Sequence, residues 1–165
     1  MWQRSSYHEI ADELASVSER FRAAEAGRLP FSPTQLRQTM VETSIDGIAL
    51  LRALALAVRS EQDYGHGLRG SEIVGQQVVD TSEADRLVNQ IRGIPISLQS
   101  QPLVLRDALN KIAHADPALG SYNVEGEAHD LVLSGTQGKR QWVAVISLPK
   151  VIAVLRAYPD FQVRK

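Results

Sequence analysis

The sequence predicts a mainly α protein: a four- or five-helix bundle with a C-terminal β-hairpin and a short terminal helix. Apolar residues recur at steps of three and four through the first two thirds of the chain, as they do along one face of a helix. Two β-rich runs around a glycine-containing turn follow near the C-terminus. Because only 5% of the residues are aromatic, aliphatic side chains must fill the core. We expect one domain over residues 1–165, with the bundle in residues 1–117 and the hairpin and short helix in residues 128–156.

The first two predicted helices have clear start and stop signals. The first covers about residues 6–26, carries an apolar stripe at helical spacing and ends at Gly27. Ser32 caps the second helix, Pro33 occupies its first position, and the helix runs to about Ser60. The middle of this helix is apolar on more than one face, which suits the central helix of a bundle. Because little of its surface suits solvent, we also expect a homodimer.

The middle of the chain carries weaker signals. Residues 64–70, YGHGLRG, predict a loop, and residues 71–79 fit either a short helix or an extended segment. A third helix is expected over about residues 80–91, where an apolar stripe follows a capping-box pattern. A fourth helix begins near Pro102 and ends at the sequence ADP, because Pro117 disfavours helical geometry at the residue before it.

The spacing of apolar residues changes near the C-terminus. Leu131–Leu133 and Trp142–Ile146 predict two strands joined by a glycine-rich turn. Pro149 can open a last short helix that runs through Leu155. These elements predict a β-hairpin and a helix that pack on the bundle.

Charge and composition exclude several classes of protein. The formal net charge of -1 argues against a positive field over the whole chain that would hold nucleic acid. Residues 131–165 nevertheless contain six basic residues and one acidic residue, whereas residues 36–130 contain eight basic and thirteen acidic residues. The chain has no cysteine, which excludes disulfides and thiolate metal sites, and we predict neither a metal nor a cofactor.

The N-terminal sequence and the longest apolar run predict a protein that does not enter a membrane. The start, MWQRSSYHEIADEL, has no apolar signal-peptide core. The longest apolar run, Ile48–Val58, is interrupted by Arg52 and is too short to span a bilayer. We therefore expect a soluble, cytoplasmic protein.

The sequence LRDALNKIAHADP, residues 105–117, is the strongest candidate for chemistry. Arg106, Asn110 and His114 follow each other at i, i+4 and i+8, on a different side of the helix from its leucines. At about 100° per residue, these three side chains fit a wedge of about 80°. An imidazole can move the proton of a ribose 2′-hydroxyl, and a guanidinium can hold the charge that develops on a phosphate. The row could therefore serve one phosphodiester.

The segment LRDALNKIAHAD resembles the signature helix of the HEPN superfamily, the all-helical domains of many prokaryotic toxins and defence systems. Active members are typically metal-independent ribonucleases whose composite site forms between two protomers. The resemblance implies that Arg106 is the phosphate-binding cation, that His114 is the acid/base group and that Asn110 faces the same site. It thus implies an RNA-binding or RNA-cleaving dimer.

Two features depart from the pattern of that family and favour an alternative function. Seven residues separate Arg106 from His114, more than the family usually has, and the carboxylate of Asp107 would oppose phosphate binding. In this alternative His114 complements the helix dipole, and Asp107 and Lys111 form an ordinary surface pair. The protein would then be a non-catalytic module for protein interaction or dimerisation, with an antitoxin-like or scaffold role.

Three lysine and arginine residues are candidate substrate-binding groups. Lys111 lies beside the row on the predicted fourth helix. Lys139 and Arg140 lie in the predicted hairpin turn with Trp142 close by, a combination that suits contact with an RNA backbone. The alternative for the hairpin pair is a solvated turn without a ligand.

Overall fold

The computed structural model describes residues 7–63, 68–79, 100–116 and 120–158. Its elements, in chain order, are α1 (Tyr7–Glu25), α2 (Pro33–Asp63), β1 (Ile73–Val79), β2 (Gln101–Val104), α3 (Leu105–His114), β3 (Ser121–Glu125), β4 (Ala128–Gln137), β5 (Arg140–Ser147) and α4 (Leu148–Ala157). The strands form one antiparallel sheet in the order β2-β1-β5-β4-β3. The fold is therefore α/β, and the prediction of a mainly α bundle is wrong.

Strands β1, β2 and β3 account for this correction. Strand β1 lies in the stretch that fitted either a short helix or an extended segment. Strand β2 is a short edge strand, a place where a proline such as Pro102 is tolerated, and the helix begins at Leu105 instead. Strand β3 is the other edge and is exposed at four of its five positions, so that no apolar alternation marks it in the sequence.

The predicted elements at the two ends of the chain are confirmed. Helices α1 and α2, the β4–β5 hairpin and α4 lie where the sequence placed them. At the start of α2, the Ser32 N–H donates to Gln35 Oε1 at 2.9 Å, and the Gln35 N–H donates to Ser32 Oγ at 3.3 Å. This is a capping box. The predicted helix over 80–91 and residues 64–67 of the predicted loop lie outside the described residues.

Helices α1 and α2 pack closely against each other. A Cβ at Gly47 of α2 would lie 3.4 Å from Val17 Cγ1 of α1, so that the glycine permits a short distance between the helix axes. Leu14 of α1 and Leu51 and Leu54 of α2 are fully buried in the main core. None of the described helices combines the length and hydropathy needed to cross a membrane.

Strand β5 lies in the middle of the sheet and buries side chains on both faces. Trp142, Ala144 and Ile146 belong to the main core, together with the apolar faces of α3 and α4. Val143 and Val145 point to the other face, where they pack with Val78 and Val132. This alternation is that of a central strand whose side chains are buried on both faces of the sheet.

Two helices continue directly from strands. Strand β2 ends at Val104 and α3 begins at Leu105, and strand β5 ends at Ser147 and α4 begins at Leu148. Neither helix receives a side-chain hydrogen bond at its N-cap. The place of each strand in the sheet therefore determines the place of the first turn of the helix that follows it.

Candidate functional site

The backbone of residues 68–72 holds the N-terminal end of α3. The Leu105 N–H donates to the Glu72 carbonyl at 2.8 Å, and the Arg106 N–H donates to the Gly70 carbonyl at 3.0 Å. Gly70 has a φ of 70°, and a Cβ at this position would lie 2.9 Å from the Arg106 Cβ and backbone nitrogen. Only glycine fits both the left-handed backbone and this close approach.

Strand β4 holds the C-terminal end of α3. The Asp116 N–H donates to the Ser134 carbonyl at 2.8 Å. A Cβ at Gly135 would lie 3.0 Å from the His114 carbonyl oxygen and 2.5 Å from Cζ2 of Trp142. The missing side chain at Gly135 therefore lets the end of α3 and the indole ring lie against the strand. Both ends of α3 are thus fixed to neighbouring backbone.

The orientation of α3 agrees with the predicted amphipathic pattern. Its apolar side is buried: Leu105, Ala108, Leu109 and Ile112. Arg106, Asn110 and His114 are exposed, as is Asp107 beside them. The polar row that the sequence singles out therefore faces solvent along the whole helix.

Lys111 lies on a different side of α3 from the polar row. Its side chain is only 9% exposed, and Nζ lies 4.3 Å from the ring centroid of Trp142 in a cation–π contact. Burial lowers the pKa of Lys111, and the nearby carboxylate of Asp107 opposes that decrease. Lys111 therefore contributes to the packing of α3 on the sheet, which distinguishes it from the exposed residues.

The hairpin turn places two exposed cations near the end of α3. Lys139 lies in the turn and Arg140 begins β5, paired with Gln137. Because side chains alternate along a strand, Arg140 lies on the same face of the sheet as Trp142 and therefore on the face that α3 covers. The turn begins two residues beyond Gly135, about 7 Å along the strand.

The structure therefore brings His114 and the hairpin cations to one end of α3. His114 ends the helix beside Gly135, and the turn with Lys139 and Arg140 continues outward from there. Arg106 lies at the other end of α3, about 12 Å away along the helix axis. The side-chain row and the turn together form an exposed polar surface, which we call the α3–turn surface (Arg106, Asn110, His114, Lys139 and Arg140).

A second histidine, His129 of β4, makes contacts that sequence reasoning missed. His129 Nδ1 lies 2.9 Å from Ser18 Oγ of α1, and the two residues are 5% and 3% exposed. The ring stacks on Phe21 with 4.9 Å between centroids. Burial lowers the pKa of His129 to about 4, and the positive charge of Arg22 adds to the decrease. The imidazole is therefore neutral near pH 7.

The Ser18–His129 pair has the residue types of a nucleophile and its base but lacks their setting. A catalytic hydroxyl must reach a substrate, whereas both side chains here are closed off between α1 and the sheet. The pair is a buried hydrogen bond that joins α1 to β4. One sequence signal could have found it, because His129 shares the alternation of Leu131 and Leu133 on the core side of β4.

Clusters of metal-ligating residue types are absent from the part of the chain that the structure describes. Within residues 7–63, 68–79, 100–116 and 120–158, no three His, Cys, Asp or Glu side chains come together as metal ligands would.

Comparisons of the chain with family models, with characterised proteins and with solved structures found no match. The function proposed below therefore rests on the residues of this chain alone.

Proposed function

We propose that the protein binds RNA on the α3–turn surface and cleaves it without a metal ion. The observation that carries the proposal is that the polar row of α3 is exposed and ends beside the hairpin cations. Phosphate groups are recognised by arginine and lysine side chains of this kind, which position a nucleic acid without reading its sequence. The negative net charge of the chain restricts such binding to a local surface.

The fixed backbone of α3 supports a chemical role for its side chains. Hydrogen bonds at Gly70 and Ser134 hold the two ends of the helix, so that the row sits on a rigid base. Side chains of a helix lean towards its N-terminus, which tilts His114 towards Asn110. Arg106, Asn110 and His114 then supply a cation, an amide and an imidazole to an RNA strand that lies along the helix.

The proposed reaction is an attack of the RNA on its own backbone. The His114 imidazole accepts the proton of a ribose 2′-hydroxyl, and the 2′-oxygen forms a bond to the adjacent phosphorus. The bond from phosphorus to the 5′-oxygen breaks, and this oxygen takes a proton from water. The resulting hydroxide takes a proton from the His114 imidazolium, which restores the neutral imidazole. The products are a 2′,3′-cyclic phosphate and a 5′-hydroxyl. Arg106 stabilises the negative charge that develops on the phosphate oxygens.

The test is an assay of binding and cleavage on structured RNA in EDTA. We expect His114→Asn to bind RNA like the wild type and to lose cleavage. We expect Arg106→Gln to bind about tenfold more weakly and to reduce the salt dependence of binding by about one phosphate contact. We expect the double variant Lys139→Ser with Arg140→Ser to weaken binding by a similar amount.

Two further variants make the assay specific. Arg20→Gln on the exposed side of α1 removes a cation far along the chain from the α3–turn surface and should leave binding unchanged. Asp107→Asn removes a carboxylate beside Arg106 and should strengthen binding, because that charge repels phosphate. The proposal is wrong if the folded wild type neither binds nor cleaves RNA, or if Arg20→Gln weakens binding as much as Arg106→Gln.

The alternative function is a non-catalytic module for protein interaction. It is favoured by Asp107, whose exposed carboxylate lies within the proposed phosphate surface. RNA binding without cleavage would support the binding part of our proposal and overturn the catalytic part. Absence of both activities would leave the α3 row as a solvated helix surface and would favour this alternative.

A further inference from the structure

We propose that two copies of this chain pair through the solvent-facing side of α2. Three large apolar side chains of this helix are unusually exposed, namely Val41 at 58%, Ile45 at 64% and Leu56 at 72%. Isolated exposed apolar residues are normal on a protein surface. These three, however, fall on one side of one helix.

The positions of these residues define a continuous apolar stripe. At about 100° per residue, Val41, Ile45 and Leu56 lie within about 60° of the helix circumference, and the half-buried Ile48 widens the wedge to about 80°. Arg52 is the one charged residue inside the wedge between Val41 and Leu56. We call these five residues the α2 stripe.

The α2 stripe faces away from the rest of the described fold. The buried residues of α2 all lie outside this wedge, at least about 60° around the helix from its nearest member: Thr39, Thr43, Leu51, Leu54 and Val58. The two threonine hydroxyls among them donate to backbone carbonyls one turn earlier, so that each buried hydroxyl has a hydrogen-bond partner. The stripe is therefore the side of α2 on which apolar surface is left in water.

When two copies of α2 run antiparallel, the side chains of one stripe fit against those of the other. With a two-fold axis between residues 48 and 49, Val41 of one copy meets Leu56 of the other. Ile48 then meets Ala49, a large side chain against a small one, which allows the helices to approach closely. Such an interface is the same patch on both copies, as two-fold symmetry requires.

The charge of Arg52 selects the antiparallel arrangement. In a parallel pair, Arg52 would lie opposite Arg52 of the second copy, and the like charges would repel each other. In the antiparallel pair it lies opposite Ile45, within one turn of the second copy's Glu42. Glu42 is exposed and accepts a bond only from Gln38 among the described residues, which leaves oxygen lone pairs for a guanidinium.

The first measurement is the mass of the full chain in solution by light scattering. We expect twice the 18.2 kDa of one chain. Leu56→Glu should raise the dimer dissociation constant at least about tenfold, because it places a charge in the apolar stripe. Since Leu56 is exposed, the variant should keep the circular dichroism spectrum of the wild type. A monomeric wild type would overturn the proposal.

Disulfide cross-linking tests the register of the two α2 helices. Because the chain has no cysteine, no native thiol can form a competing disulfide. In the antiparallel pair, a mixture of V41C and L56C forms a mixed disulfide dimer, and each variant alone does not. The exposed α1 residue Glu19, as E19C, is the control that should not cross-link with either. Cross-linking of V41C with itself, or no cross-linking of the mixture, would overturn the antiparallel register.

Charge reversal tests the role of Arg52. Arg52→Glu should weaken the dimer, and the double variant Arg52→Glu with Glu42→Arg should restore the wild-type dissociation constant. Failure of the double variant to restore dimerisation would overturn the proposed ion pair. Because the α2 stripe and the α3–turn surface share no residue, each proposal can fail without the other.

Discussion

His129 lies near the start of strand β4, and His114 lies against Gly135 of the same strand, about 20 Å further along; the surroundings of the two histidines differ. His129 is enclosed by Ser18 and Phe21 and is neutral, with its pKa lowered to about 4 by burial and by the charge of Arg22. His114 is exposed at the end of α3. The same residue type is thus a core component in one place and a surface group in the other.

Environment, and not residue type, therefore separates a buried structural imidazole from one that a ligand can reach. An imidazole can exchange a proton with a ligand only when the ligand can reach it. His129 uses its ring area and one nitrogen to join α1 to β4, whereas His114 is exposed to solvent. Histidine replacements and a change of pH test this contrast, and variants at Gly135 and Lys111 test how firmly α3 is held against the sheet.

The largest expected effect is the loss of stability when His129 is replaced by alanine, and the same replacement at His114 is its control. His129→Ala removes a buried ring and the partner of Ser18, so that the free energy of unfolding should fall by about 3 kcal/mol. His114→Ala should change it by less than about 0.5 kcal/mol. Urea unfolding followed by circular dichroism measures both. Equal losses for the two variants would show that His114 is as much a part of the packed structure as His129.

Acid should destabilise the protein through His129 in particular. Its pKa is lowered from 6.5 to about 4 in the folded state, so that the unfolded chain binds more protons between these values. Stability should therefore fall as the pH falls, by about 2 kcal/mol between about pH 6.5 and about pH 4.5. His129→Asn, which keeps an acceptor for Ser18 but does not titrate, should lack this loss. Urea unfolding of both proteins across this pH range measures the difference, and a loss of the same size in His129→Asn would assign it to other groups.

A smaller effect is expected at Gly135, which supports the end of α3 under His114. Gly135→Ala places a methyl group 2.5 Å from the buried Trp142 ring and should cost about 1.5 kcal/mol of stability. Gly120→Ala is the matched control, because nothing lies within 4 Å of a Cβ there. Thermal unfolding of the two variants gives the comparison. If Gly135→Ala leaves the stability unchanged, the end of α3 and the Trp142 ring can shift to accommodate a methyl group at little cost.

The smallest effect is expected at Lys111, the buried cation beneath α3. Lys111→Met keeps the aliphatic stem, removes the contact with Trp142 and relieves the burial of a charge, so that the net change should be below about 1 kcal/mol. The lowered pKa of Lys111 adds stability as the pH rises towards 10.5, and the variant should lose that rise. Urea unfolding at neutral and alkaline pH measures both effects. A large loss at neutral pH would show that the charge itself holds α3 in place.

The sequence predicts those parts of the fold whose signals are local. Caps and glycines mark α1 and α2, and a glycine turn between apolar runs marks the β4–β5 hairpin. The sheet escapes prediction because β1 pairs with β5, about seventy residues later in the chain, and no local pattern encodes that pairing. Edge strands β2 and β3 are short or exposed and carry no alternation.

The candidate site, too, is predictable only where its sequence signals are local. The apolar stripe of α3 predicts which side is buried, and the exposure of Arg106, Asn110 and His114 follows from it. The burial of Lys111 could not be predicted, because it depends on Trp142, which comes to lie beneath α3 only when the sheet forms. Whether the exposed row acts on RNA stays a prediction.

The direct passage from strand to helix at Val104 and Ser147 decides where this chain can be lengthened. One residue inserted at either point would turn the following helix by about 100° about its axis, and in α3 this would rotate Asn110 or its neighbours into the core. The exposed turn at Gly126 and Glu127 connects β3 to β4 and has no such constraint, so that a peptide tag fits there without reaching the α3–turn surface. The tolerant site for engineering is therefore the turn between β3 and β4, whereas the two strand-to-helix junctions do not tolerate an insertion.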